Sequence, residues 1–282
     1  MSAVRVAVVG HVEWLKLAAV DHVPVRGEIV HAGMLWEGPA GGGAVAAVQL
    51  AKLAGGCTFF TALGHDHVGE RAIEELERLG VRMEVAVRDA PTRQACSLVD
   101  PTAERTIVTL GDRLHPHAAD PLPWAQLASV HAVYFTAGDP AALRWARRAG
   151  VLVATTRELN TVAAAGVRID ALVGSGRDPA ERYDRALVPD PPDLLVVTDG
   201  IHGGSFSTRN GATGAYQAVE PPGPVVDTYG AGDSFAGALT FALGAGADPA
   251  AALVLAARCG AACAAGRGPF SGQLSGADLA ER

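Results

Sequence analysis

Six short runs rich in β-branched and apolar residues recur along the chain, and no other feature limits its fold so strongly. They are VRVAVVG (4–10), CTFFTALG (57–64), AVYFTA (132–137), VLVATT (151–156), ALVGS (171–175) and LLVVTDG (194–200). Each is continuously apolar rather than alternating, which predicts strands buried on both faces. Between them, AVAAVQLAKLA (44–54), GERAIEELERLG (69–80) and AALRWARRAG (141–150) have helical spacing. Strand, helix and strand in repetition predict an α/β fold, a doubly wound and mostly parallel sheet with helices on both faces. A chain of 282 residues fits a single such domain over 1–282. Two regions, about 12–38 and 82–113, break the rhythm. There polar and apolar residues alternate between turns, and we expect them to form a small sheet inserted in the main domain with one face open.

The composition, 49% hydrophobic and 19% charged, is that of a globular protein. A net charge of −7 argues against nucleic acid or an anionic membrane as partner. The N-terminal apolar run is too short for a membrane span and lacks the layout of a signal peptide. The four cysteines are scattered, so they are expected to be reduced and the protein cytoplasmic.

The stretch PVVDTYGAGDSFAGALTFAL (224–243) places an acid, Asp233, directly behind Gly230-Ala231-Gly232 at the start of an apolar helix. A serine nucleophile elbow requires a downstream histidine, and no histidine follows Ser234. A P-loop requires lysine before Ser or Thr, whereas the two lysines, Lys16 and Lys52, both precede leucine. No G-x-G-x-x-G follows the first strand, and protein-kinase signatures are absent. Two readings remain. The stretch is either a glycine-rich turn with an acid helping to cap a helix, or a lysine-free anion cradle. In the cradle, amides 230–233 and the helix dipole stabilise a transferring phosphoryl group while Asp233, kept ionised by that dipole, takes a hydroxyl proton.

DTYGAGDSFAGAL resembles the D-T-x-G-A-G-D-x-F signature of the ribokinase-like (PfkB-type) carbohydrate kinases. Residues 41–81, GGGAVAAVQLAKLAGGCTFFTALGHDHVGERAIEELERLGV, resemble that family's Gly-Gly sugar turn, helix, strand and G-x-D-x-x-G loop. PTRQACSLVD and ERTIV resemble its small-sheet strands, and the resemblance runs from about residue 4 to 270. It implies Asp233 as catalytic base, Gly230, Ala231 and Gly232 as anion hole, and Gly42 and Gly43 as close neighbours of the sugar. It also implies ATP beside Ser175, Thr198, Gly200 and Gly203, with residues 256–269 flanking the adenine. Asp227 would support a monovalent-cation loop for potassium, and the small sheet would be a lid and a homodimer clasp. Three positions depart from the pattern. Val45 and Ala46 stand where asparagine is usual, GHVEWL leaves Glu13 as the hydroxyl acceptor, and N-x-x-E is replaced by Ser175…Asp178, which would hold magnesium through water.

The expected activity is ATP-dependent phosphorylation of a primary hydroxyl on a sugar or sugar-like molecule. A nucleoside acceptor, a phosphosugar acceptor and a non-catalytic nucleotide- or sugar-binding regulator are the alternatives. Arg157, at a strand end, is either a phosphate ligand or a solvated arginine, and Arg105 is expected to support the lid. Trp14 and Trp36 would stack on ligand or pack the sheet. The pairs His65/His67 and His115/His117 lack a matching ligand set for structural zinc.

Overall fold

The computed structural model describes residues 4–280. Thirteen strands are arranged in two sheets. The large sheet contains β1 (Val6–Val9), β4 (Cys57–Gly64), β5 (Val81–Arg88), β8 (Ala132–Phe135), β9 (Val151–Thr155), β10 (Ala171–Ser175) and β11 (Leu194–Thr198), with β12 (Gly204–Thr208) and β13 (Thr213–Tyr216). Their spatial order is β13-β12-β11-β10-β9-β8-β1-β4-β5. All neighbours are parallel except β11–β12 and β12–β13, which are antiparallel. This is the mostly parallel, doubly wound sheet expected from the continuous apolar runs.

The reason β1 reads as unbroken valine and alanine is visible in its packing. Val6 and Val8 enter a core shared with α1 (Gly42–Ala54), α5 (Ala231–Gly244) and α6 (Pro249–Ala264). Ala7 and Val9 enter a second core on the opposite face, with α3 (Pro140–Ala146) and α4 (Leu159–Ala165). Both faces of the strand are dry, so neither can be polar. The chain leaves β1 toward β4 on one side and later returns to β8 on the other. That reversal of strand order opens a crevice at the C-terminal ends of the two strands.

The remaining helices are α2 (His67–Arg78), α7 (Gly268–Ser271) and α8 (Gly276–Ala280). Asp66 starts α2: its Oδ1 accepts the Gly69 N–H and its Oδ2 accepts the Thr92 N–H. A side chain at Gly69 would lie 2.6 Å from Gly64 O. The G-x-D-x-x-G loop is therefore a joint, fastening α2 to the segment that leads into the small sheet. Among the described residues no helix is long and apolar enough to cross a membrane, and all four cysteines are free.

The small sheet has the order β3-β2-β6-β7, formed by β2 (Glu13–Ala19), β3 (Gly33–Ala40), β6 (Gln94–Val99) and β7 (Arg105–Leu110). Residues 81–88, expected in this sheet, instead form β5 and pair in parallel with β4 from Cys57↔Val81 to Gly64↔Arg88. The strand is the edge of the large sheet and only half covered. Its alternating sequence therefore records solvent on one face rather than membership of the small sheet. In β6 the inward residues Ala95, Ser97 and Val99 alternate with half-exposed ones, while β7 is exposed along its whole length.

Candidate active site

The site residues gather where the parallel strands end. His11 follows β1, Thr136 follows β8, Thr155 ends β9, Ser175 ends β10 and Thr198 ends β11. Opposite them α5 begins at Gly230, whose φ of 82° is left-handed. A side chain there would lie 2.9 Å from Pro269 Cβ and 3.0 Å from Val45 Cγ1, so only glycine fits.

Asp233 stands in the first turn of α5, and its carboxylate faces Gly42 at the start of α1. A Cβ built on Gly42 would lie 2.8 Å from Asp233 Oδ1. Gly232 beside it is exposed, with nothing within 4 Å of a built Cβ. Among the described residues the N–H groups of Gly232 and Asp233 have no protein acceptor, while that of Ala231 makes a long 3.4 Å contact with Thr228 O. Free amides at a helix N-terminus attract anions. Ser234, by contrast, is fully buried and its hydroxyl accepts from Gln273 Nε2 at 3.0 Å, which closes the nucleophile reading.

The dipole was expected to keep Asp233 ionised at low pH. Instead, poor hydration at the foot of the crevice pushes its carboxyl from 3.8 up to about 6. Arg105 and Arg157 act against that rise, and Glu181 and Glu13 add to it. A carboxylate so placed is a better base, and is still ionised at neutral pH.

Glu13 is buried at the start of β2. Its Oε1 accepts from Tyr229 Oη at 3.0 Å, and its Oε2 lies 3.5 Å from Arg93 Nε. Tyr229 Oη in turn accepts the Gly41 N–H at 3.1 Å, so one phenol ties β2 and the glycine turn to the loop before α5. Gly43 does not line the open crevice. It is buried, and a side chain on it would strike His11 O at 2.6 Å and Phe59 Cζ at 2.7 Å. Of the two glycines expected against the sugar, Gly42 faces Asp233 and Gly43 serves close packing.

Two residues near Asp233 escaped sequence reasoning. His11 borders the glycine turn, 3.1 Å from a built Cβ on Gly41, and its Nδ1 is buried with no partner among the described residues. Burial, then Arg113, Arg93, Arg157 and His115, push its imidazole down to about 3, so it is neutral. Its only sequence signal was its place immediately after the first strand. Glu181 is the second: its Oε2 accepts the Ser175 N–H at 2.8 Å and its Oε1 pairs with Arg157 at 2.6 Å.

On the other side of the crevice, Ser175 and Thr198 are register partners. Ser175 Oγ accepts from the Arg177 N–H at 3.2 Å, and Thr198 Oγ1 donates to Gly174 O at 3.3 Å. Gly200 (φ 55°) and Gly203 (φ 81°) shape the turn that follows, and a side chain on Gly203 would meet Tyr216 O at 2.2 Å. Beside them a cavity of about 380 Å³ is lined by Gly176, Val197, Asp199, His202, Gly204 and Ser205. Asp178 caps the Ala180 N–H at 2.9 Å and pairs with Arg157 at 2.6 Å. Asp178 and Glu181 are hard oxygen ligands suited to magnesium, which takes one or two carboxylates together with phosphates and water.

Asp227 is buried, which pushes its carboxyl up. Its two oxygens accept the N–H groups of Tyr229 (2.9 Å) and Gly268 (3.1 Å), joining the DTYG loop to residues after α6. Arg105, on β7, donates to Thr228 O at 3.1 Å and to Thr228 Oγ1 at 2.7 Å, so the small sheet reaches the same loop. Trp14 is buried, donates to Glu37 Oε1 at 2.7 Å and carries Arg71 over its ring. Trp36 packs on Gly268 and edge-on against Phe270. His115 and His117 lie edge to face, 4.8 Å between ring centroids.

The model of the pfkB family carbohydrate kinases matches residues 4–170 and 144–273. The chain belongs to this family. It is a carbohydrate kinase, a phosphotransferase with the ribokinase fold. Over 271 residues, 86% of this chain and 82% of the other, it is 27% identical to ribokinase of Mus musculus. A 50-residue stretch is 52% identical to acarbose 7(IV)-phosphotransferase of an Actinoplanes species, spanning 17% of this chain and 16% of that protein. The fold superposes on a putative ribokinase from Agrobacterium tumefaciens with a TM-score of 0.82, 22% identity, and 99% and 97% of the two chains covered. Arabidopsis thaliana ribokinase, complexed with ribose and ATP, gives 0.74 at 20% identity, with 99% and 98% covered.

Proposed function

We propose that this pfkB-family carbohydrate kinase transfers the γ-phosphoryl group of ATP to a primary hydroxyl of a sugar or sugar-like molecule, with Asp233 as base. The observation that carries this reading is the meeting of Asp233 Oδ1, Gly42 and the unpartnered amides of Gly232 and Asp233 at one end of the crevice. The acceptor lies over Gly42, positioned by Glu13 and His11. Asp233 takes the hydroxyl proton as the acceptor oxygen bonds to the γ-phosphorus. The bond from that phosphorus to the β–γ bridging oxygen breaks, and ADP leaves. The amides at the start of α5 hold the charge on the transferring group. Magnesium, which neutralises phosphate charge when bound, would be held by Asp178 and Glu181. Ser175, Thr198, Gly200 and Gly203 bound the nucleotide side, next to the cavity at Gly176 and Asp199.

The small sheet acts as a lid, excluding water from the crevice through the Arg105–Thr228 contact. Its outer strand, with Ile107, Val108 and Leu110 exposed, is the proposed homodimer surface. The four free cysteines fit a reducing cytoplasm. A potassium effect would act through the Asp227 loop, and exchanging KCl for tetramethylammonium chloride at constant ionic strength reads it.

Both tryptophans near the small sheet are occupied by protein, which removes the aromatic sandwich a nucleoside would need and favours a sugar. Arg93 beside Glu13 favours a second acceptor class, a sugar already carrying phosphate. A coupled ADP-release assay over free sugars, nucleosides and phosphosugars tests the reading. Turnover with a sugar or phosphosugar is expected. Nucleotide binding with no acceptor-dependent turnover would instead identify a regulator.

A further inference from the structure

Arg157 leaves the C-terminal end of β9 and is about half exposed (52%). A single guanidinium nitrogen, Nη2, contacts both Asp178 Oδ2 and Glu181 Oε1, each at 2.6 Å. Among the described residues, Nε and Nη1 of Arg157 hydrogen-bond to no protein group. Two carboxylates therefore share one cation, and the rest of its donor fork is open.

The surroundings give that fork a target. Arg157 and Glu181 act on the Asp233 carboxyl with opposite signs, so the cluster lies within electrostatic reach of the base. Other cations near the crevice sit elsewhere: Arg93 lies beside Glu13 on the acceptor side, Arg113 pairs with Glu158, and Arg105 reaches Thr228 from the small sheet. Neither lysine can help. Lys16 is exposed on β2, and Lys52 is bonded to Phe270 O. A terminal phosphate approaching Asp233 meets in Arg157 a half-exposed cation with two unbonded donor nitrogens, more open than Arg93 or Arg113. Divalent cations compete well for hard carboxylate oxygens, and a planar guanidinium matches phosphate through paired N–H groups.

We propose that Arg157 is a phosphate-binding residue held in a carboxylate clamp. Asp178 and Glu181 hold its guanidinium at the strand end in the nucleotide-free protein. On nucleotide binding they turn to the accompanying divalent cation, and Arg157 moves onto the terminal phosphate beside Asp233. The proposal rests on the kinase reading and adds a residue and a release step to it.

Calorimetry with nucleotides alone tests this without knowledge of the acceptor. With magnesium, the wild-type protein is expected to bind the β,γ-imido analogue of ATP about tenfold more tightly than ADP. In Arg157→Gln that preference is expected to vanish while ADP affinity stays within about threefold, and Arg157→Lys should retain an intermediate preference. Without magnesium, Asp178→Asn/Glu181→Gln is expected to bind the triphosphate analogue more tightly than wild type, because the guanidinium is already free. An unchanged triphosphate preference in Arg157→Gln overturns the phosphate role. Unchanged magnesium-free affinity in the double variant overturns the clamp. A wild-type protein that binds neither nucleotide overturns the kinase reading itself. Thermal melting confirms that each variant is folded.

Discussion

At the scale of single residues, the decisive group is a carboxylate whose proton is held more tightly than usual. Burial raises Asp233 from 3.8 to about 6. Activity that needs the ionised form should therefore fall as pH drops through about 6, read as the acidic limb of kcat/KM. The same shift has a stability consequence. Because the folded value exceeds the unfolded one, wild-type stability declines as pH rises from about 3.8 to about 6 and stays reduced above it, by the order of 3 kcal/mol. Asp233→Asn has no charge to bury, so it should melt several degrees above wild type at pH 8 and show a much smaller gap near pH 4.5. The two neighbouring glycines separate function from packing. Gly42→Ala places a methyl 2.8 Å from Asp233 Oδ1 and should cut turnover about 100-fold or more with little change in melting temperature. Gly43→Ala drives a methyl into His11 O and Phe59, and should cost about 1–3 kcal/mol by denaturant titration.

Elements differ in how plainly their sequence announces them. The buried parallel strands were legible because both their faces are dry, as Val6/Val8 and Ala7/Val9 show. The start of α5 was legible because Gly230, the free amides and Asp233 are all local to one turn. β5 was not, since an edge strand with one wet face has the same alternation as a strand of a small open sheet. His11 and Glu181 were hidden for a different reason. His11 lies beside Gly41 and Arg93, and Glu181, besides its local bond to the Ser175 N–H, meets Arg157; these neighbours are distant in sequence and no local pattern encodes their meeting. The exposed strand β7 carries its own prediction. Val108→Asp should shift a dimer to monomer on size exclusion with light scattering, and leave the melting transition of the monomer nearly unchanged.

For the whole molecule, the sheet's reversal at β1 opens the crevice, and the start of α5 brings unpartnered amides and the Asp233 carboxylate to one end of it. Tyr229 and Asp227 lock the loop before α5 to β2, to the glycine turn and to the segment after α6, so the loop that leads into Asp233 is held by three parts of the chain at once. The small sheet reaches that loop through Arg105, whose charge also acts on Asp233, so the proposed lid would be linked to the environment of that carboxylate. The most direct test of this arrangement is acceptor-dependent ADP release by Asp233→Asn at pH 8, measured beside wild type with the best acceptor and with nucleotide binding recorded on the same preparations. The account predicts turnover lower by about 100-fold or more with nucleotide affinity nearly unchanged. Turnover equal to wild type would contradict it.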